Sequence, residues 1–233
     1  MYYYKYLSLS IVLVFLYSCQ MIGTQPEPTT SYEPRWMTQV ERGDNASDRK
    51  HWQKAVKFYN EALDLIDDPE ATPQPPSRSQ IEEVIRLASY AQILASSGAT
   101  RSLQSCDQMM RNEVRGIQIT KHLMPVKFVF DSSNFTDKGQ YSAQKLANCL
   151  VKKTKLYRIT LVGHTDSKGD SSYNKQLSIK RAKALKIYLR KKGLALPIYT
   201  EGKGEDEPLQ NIPNNLSQTE IDQMNRRVEI RNY

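Results

Sequence analysis

Residues 163–181 read Gly163-His-Thr-Asp-Ser-Lys-Gly-Asp-Ser-Ser-Tyr-Asn-Lys-Gln-Leu-Ser-Ile-Lys-Arg181. An apolar run, Ile159 to Val162, precedes this stretch, and a helical pattern ending near Leu189 follows it. The order is strand, turn, helix. Asp166 therefore falls where a strand ends, and Arg181 falls inside the next helix. At about 100° per residue, Asn174, Leu177 and Arg181 stand at i, i+3 and i+7 and share one face. An acid and a base are thus aimed at one cleft from two rigid elements. Such a cleft suits a zwitterion, because a guanidinium grips a carboxylate in a fork while an aspartate takes an ammonium.

Working outward, the C-terminal part alternates strands and helices. Val126–Asp131 reads as a strand with Phe128 and Phe130 on one face, and Asp137–Lys153 as a helix. A strand at Arg158–Gly163, a helix at Tyr173–Lys191 and a strand at Ile198–Gly202 follow, and Arg227–Tyr233 closes the set. This predicts an α+β domain of order β-α-β-α-β-β, with helices packed on a mixed sheet. Upstream, residues 35–118 read as an all-α region. Trp52 to Leu65 places apolar side chains at helical spacing, Ile81–Ala95 forms a second such pattern and Thr100–Val114 a third. Between the first two, Asp68–Ser79 holds four prolines and reads as a loop, with Ser79 and Glu82 placed to form a capping box.

The 163–181 stretch resembles the signature of the OmpA-like peptidoglycan-binding domain, the family of peptidoglycan-associated lipoproteins and flagellar stator proteins. Three further segments resemble it in order: Val126–Asp131, Gly202–Glu205 with Pro208 after it, and Asn225–Glu229. The resemblance spans residues 124–233. It implies a pocket for the end group of meso-diaminopimelate in the peptidoglycan stem peptide, with Asp166 on the ammonium and Arg181 on the carboxylate. It also implies that Thr165, Asn174, Leu177, Phe130 and Asp131 shape the pocket and that Arg226 adds a contact near the rim. The pocket is expected to be built from elements after Pro125. Trp52–Leu65 resembles the second helix of a tetratricopeptide unit, so residues 35–118 read either as a compact spacer or as a module that docks a protein partner.

The N-terminal end points to export. Residues 1–18 combine Lys5 with an apolar stretch, Leu7 to Tyr17, too short for a permanent span but suited to a secretory signal. Leu16-Tyr17-Ser18-Cys19 resembles a lipobox, which implies cleavage before Cys19 and its lipidation; Gln20 implies sorting to the outer membrane, facing the periplasm. Residues 19–34, punctuated by Pro26, Pro28 and Pro34, read as a flexible tether. In an oxidising compartment Cys106 and Cys149 could pair, or remain two small buried thiols.

The net charge of +8 is concentrated C-terminally, where residues from Pro125 onward carry 20 Lys and Arg against 11 Asp and Glu. Export argues against nucleic acid as the partner of this basic stretch. No nucleophile-elbow pattern occurs, and the three histidines, His51, His122 and His164, have no metal-ligand spacing. The chain therefore reads as a non-enzyme without metal or cofactor. The expectation is an outer-membrane lipoprotein that binds peptidoglycan non-covalently. The alternative is a wall-anchored subunit of a secretion or motility complex, with residues 35–118 docking its partner.

Overall fold

The computed structural model describes residues 33–96, 105–152 and 156–232. The expected signal segment, Cys19 and the tether as far as Tyr32 lie outside the described residues. So does the start of the third helical pattern, before Ser105.

Three helices open the described chain: α1 (Arg35–Asp48), α2 (Trp52–Asp67) and α3 (Arg78–Ala95). They pack in sequence around Trp36, Tyr59, Leu63, Ile66, Ile81 and Val84. Gly43 allows α1 and α2 to meet, since a Cβ there would lie 2.3 Å from the Tyr59 ring. α3 starts one residue after Ser77, whose side chain forms a capping box with Gln80. The expected pairing of Ser79 with Glu82 is not used, because both residues already sit inside the helix.

Among the described residues of the third helical pattern, a four-residue helix, α4 (Cys106–Met109), is formed. The chain then makes a small antiparallel hairpin of β1 (Glu113–Val114) and β2 (Ile117–Gln118). Arg115 (φ 49°) and Gly116 (φ 80°) adopt the left-handed conformations that such a tight turn requires. So residues 35–118 are not wholly helical. Cys106 and Cys149 form a disulfide with Cα atoms 5.3 Å apart.

The C-terminal part comprises β3 (Lys121–Met124), α5 (Asp137–Lys152), β4 (Ile159–His164), α6 (Ser171–Lys191), β5 (Ile198–Gly204), α7 (Gln218–Asn225) and β6 (Val228–Asn232). The sheet order is β3-β6-β4-β5; β4 and β5 are parallel, and β6 pairs antiparallel with both β3 and β4. The sheet is mixed and packed with helices, as the alternation implied. Two details differ from the sequence reading. The first strand is Lys121–Met124, not Val126–Asp131, and α7 intervenes before the closing strand.

Strand alternation divides the sheet into two unlike faces. Met124, Leu161, Val228 and Ile230 pack with Leu146, Leu150, Leu185 and Leu189 from α5 and α6. On the other face, Leu123 and Met224 pack against Tyr90, Ile93 and Leu94 of α3, joined by Leu209. Tyr90 donates to the carbonyl of Gln210 at 2.6 Å, and Lys50 pairs with Glu220 of α7 at 2.8 Å. The helical region therefore backs the sheet and α7 directly. Among its described residues, Met37 is the only large hydrophobic side chain left exposed.

Candidate functional site

The site begins where α6 lies close against β4 and β5. A Cβ on Gly163 would stand 2.1 Å from the Ser178 carbonyl oxygen, and one on Gly202 would stand 2.4 Å from Ile179. Two glycines paired across the strands thus let the helix settle onto the sheet. Asp170 caps α6 by accepting from the Tyr173 amide at 3.0 Å, so the helix starts at Ser171, two residues before the expected start. Between strand and helix the turn is clamped from below. The Asn174 amide donates to the carbonyls of Lys168 at 3.0 Å and Asp166 at 3.5 Å, and to Glu205 Oε2 at 2.6 Å.

This clamp fixes Asp166, which is 7% exposed. Its Oδ1 accepts from the Lys168 amide at 3.2 Å, and its Oδ2 is paired with Arg226 Nη1. Arg181 is 2% exposed, and its Nε donates to the Ser132 carbonyl at 3.0 Å. The guanidinium also stands over the Phe128 ring, 5.5 Å from its centroid. Burial lowers the Arg181 pKa, the neighbouring Arg226 charge lowers it further, and Asp166 and Asp131 oppose both. The proton nevertheless stays on, because a guanidinium does not deprotonate in proteins.

Arg181 and Arg226 line a cavity of about 160 Å³, together with Lys127, Phe128, Phe130, Thr136 and Gln223. Three cations and no carboxylate form its wall. Burial, with Lys138 and Arg226 nearby, pushes the Lys127 ammonium down to about 8. A concave site of this charge favours an anionic group.

The residues singled out from sequence fall into four sets. Arg181, Arg226 and Phe130 line the cavity, and Phe130 is 82% exposed at its edge. Asp166 stands behind Arg226. Thr165, Asn174 and Leu177 are buried below the surface, and Asn174 spends its amide on the turn. Asp131, at φ 51°, accepts from the Tyr173 hydroxyl at 2.6 Å and orders the neighbouring loop.

Lys127, Thr136 and Gln223 went unnoticed in the sequence. A strand at Val126–Asp131 would have sent Lys127 and Phe128 to opposite faces. Instead residues 127–136 form a loop, closed by the Thr136 amide on the Lys127 carbonyl at 3.1 Å and by a bridge between Phe128 and Phe135. The loop turns both side chains to the same cavity. Gln223 belongs to α7, whose signal was the Ser217–Glu220 capping box.

The sequence matches the OmpA family over residues 127–221. It is 30% identical to the peptidoglycan-associated lipoprotein of Pasteurella multocida over 132 residues, which cover 55% of this chain and 85% of that protein. The chain belongs to the OmpA family. Outer membrane protein A of Bordetella avium is 40% identical over 104 residues, which cover 44% of this chain; the chain spans about half, 51%, of that relative. Among solved structures, the peptidoglycan-associated lipoprotein from Burkholderia pseudomallei aligns at 28% identity, with 46% of this chain and 88% of that one covered and a TM-score of 0.39. These two curated relatives are an outer-membrane protein and a lipoprotein, not enzymes.

One other polar cluster lies inside the OmpA-like domain, on the sheet face away from α5 and α6. His164, Glu207 and Glu229 have ligand atoms within 4.8 Å of one another. Their geometry could suit a metal, but Glu229 already accepts from Arg227 at 2.6 and 2.9 Å, from Arg231 at 3.0 Å and from Lys121 at 3.1 Å. Glu207 is taken by Arg231 at 2.6 Å and Lys203 at 3.3 Å. A dication would enter a cluster that is rich in cations. His164 is fully enclosed and burial lowers its pKa, so the imidazole packs in the core out of reach of any substrate.

Proposed function

We propose that this chain is an outer-membrane lipoprotein that binds peptidoglycan non-covalently through the diaminopimelate side chain and so tethers membrane to wall. The observation that carries this reading is Arg181. It is an almost fully buried guanidinium, oriented by the Ser132 carbonyl and the Phe128 ring, at a cationic cavity beside a buried carboxylate, Asp166. A charge held in place this way has lost its freedom to adapt and is pre-organised for a matching ion. The end group of diaminopimelate offers both a carboxylate and an ammonium. The name of the Pasteurella relative, a peptidoglycan-associated lipoprotein, supports the same assignment. Acylation at Cys19 would supply the membrane end, and many weakly bound copies facing one wall would hold it by avidity.

Pull-down with purified diaminopimelate sacculi tests the reading. A charge-assisted hydrogen bond contributes roughly 1.5–3 kcal/mol, so Arg181→Ala should weaken binding at least about tenfold. Equal retention of parent and variant, both folded by circular dichroism, would refute the pocket. Membrane fractionation of Cys19→Ser tests the anchor separately; a variant that still partitions like the parent rules lipidation out.

A further inference from the structure

The Asp166 carboxylate is not open to the cavity. One oxygen accepts from the Lys168 amide and the other is paired with Arg226, which itself lines the cavity wall. Asp166 itself does not line the cavity, so an ammonium entering there meets that guanidinium before the carboxylate. We propose that Arg226 is an exchangeable counter-ion: the ligand's ammonium takes its place on Asp166, and the displaced guanidinium meets the ligand's carboxylate in the cavity beside Arg181. This deepens the diaminopimelate reading and rests on it.

The charges around Arg226 give the exchange a direction. Its neighbours across the cavity are Arg181 and Lys127, and its charge already disfavours protonation of both. The nearest other carboxylate on α7, Asp222, is occupied by Lys168 at 2.6 Å. Displaced alone, Arg226 would turn toward a cavity wall of cations that holds no carboxylate, and Asp131 nearby is already engaged by Tyr173. A ligand carrying only an ammonium breaks one ion pair and forms one, and leaves that repulsion uncompensated. A ligand carrying an ammonium and a carboxylate supplies the missing anion between Arg181 and Arg226. Arg226 therefore penalises the simple ammonium and admits the zwitterion, which makes it a specificity-determining residue. Its partial exposure, 29% for the side chain, gives the guanidinium room to move that Arg181 lacks.

The test is calorimetric titration of the full chain with two synthetic stem peptides that differ only in diaminopimelate or lysine at the third position. The parent should prefer the diaminopimelate peptide at least about tenfold. Arg226→Met should bind the lysine peptide at least threefold more tightly than the parent does, and the preference should fall below threefold. The lysine peptide should also raise the thermal midpoint of Arg226→Met more than that of the parent, because it re-pairs Asp166. If Arg226→Met does not fold, Arg226→Gln reads the same ratio, since it removes the charge while keeping a hydrogen-bond donor. Equal weakening of both peptides, or no change in either, overturns the exchange and leaves the pocket standing. Failure of the folded parent to bind either peptide overturns the pocket and the exchange together.

Discussion

Asp166 and Glu229 are both buried carboxylates of the OmpA-like domain, and consecutive arginines serve them. Arg226 pairs with Asp166, while Arg227 donates to Glu229 from Nε at 2.9 Å and from Nη2 at 2.6 Å. Their surroundings differ. Glu229 is fully enclosed and also holds Arg231 and Lys121, with His164 Nε2 at 3.4 Å. Burial alone would push its carboxyl up, but His164, Arg227 and Lys121 outweigh that and hold it well below the usual carboxylate range. Asp166 has one charged partner and lies next to a cavity. A carboxylate whose acceptor sites are all claimed is structural; one whose single counter-ion has space beside it can exchange partners. Motif spacing alone cannot make that distinction, because both pairs begin at the same dipeptide.

The largest effect should come from breaking the closed cluster. Glu229→Ala leaves Arg227 buried without its anion and should cost about 3–5 kcal/mol in urea unfolding. A smaller loss would mean that Glu229 is no more committed than Asp166. The pH dependence has a definite sign. A carboxyl depressed in the folded state contributes stability that is fully present above its unfolded value near 4.5 and is lost as pH falls. The acid limb of the parent's stability curve should therefore flatten in the variant.

Next in size is Gly163→Ala, which forces a methyl group to 2.1 Å from the Ser178 carbonyl oxygen. Overpacking of this kind costs about 1–3 kcal/mol. Because α6 carries Arg181, sacculus binding should weaken as well, whereas Glu229→Ala should leave binding per folded molecule unchanged. If the glycine variant kept full binding, the cavity would not depend on how the helix is seated.

The smallest effect concerns the exposed Lys50–Glu220 pair at 2.8 Å. Lys50→Ala should cost only ~0.2–1 kcal/mol. The hydrogen bond from Lys50, followed by those within the Ser217 cap, pulls the Glu220 carboxyl down to about 2. That contribution is present above the unfolded value of 4.5 and fades as pH falls toward 2, so the parent–variant difference should shrink over that window. A difference that persisted at pH 2 would assign the effect to packing.

Much of the fold could be read from periodicity. The strand at Ile159–His164, the helix carrying Arg181 and the strand from Ile198 stand where apolar spacing put them. The pocket wall was less legible. Val126–Asp131 has a strand-like composition, but its backbone is bent by contacts made seven to nine residues along, at Phe135 and Thr136. Tertiary partners of that kind leave no local signal. Lys121–Met124 carries little local strand signal, since two of its four residues are Lys and His; it is an edge strand, held by pairing with β6. The resemblance pointed to Asp166, Arg181 and Arg226 as site residues, yet the contact between Asp166 and Arg226 joins segments sixty residues apart and needed the fold to reveal it.

The disulfide between Cys106 and Cys149 also sets how the molecule bears load. If the N-terminal side is pulled by a membrane while Asp166 and Arg181 hold the wall, the tension that passes the contacts between the helical region and the sheet reaches Cys106 and crosses the sulfur bridge to Cys149. The 42 residues between them, including the loop at 127–136 that walls the cavity, then carry no strain along their backbone. The grip is mechanically bypassed on one side, so a pull that stretches the chain does not pull its pocket open there.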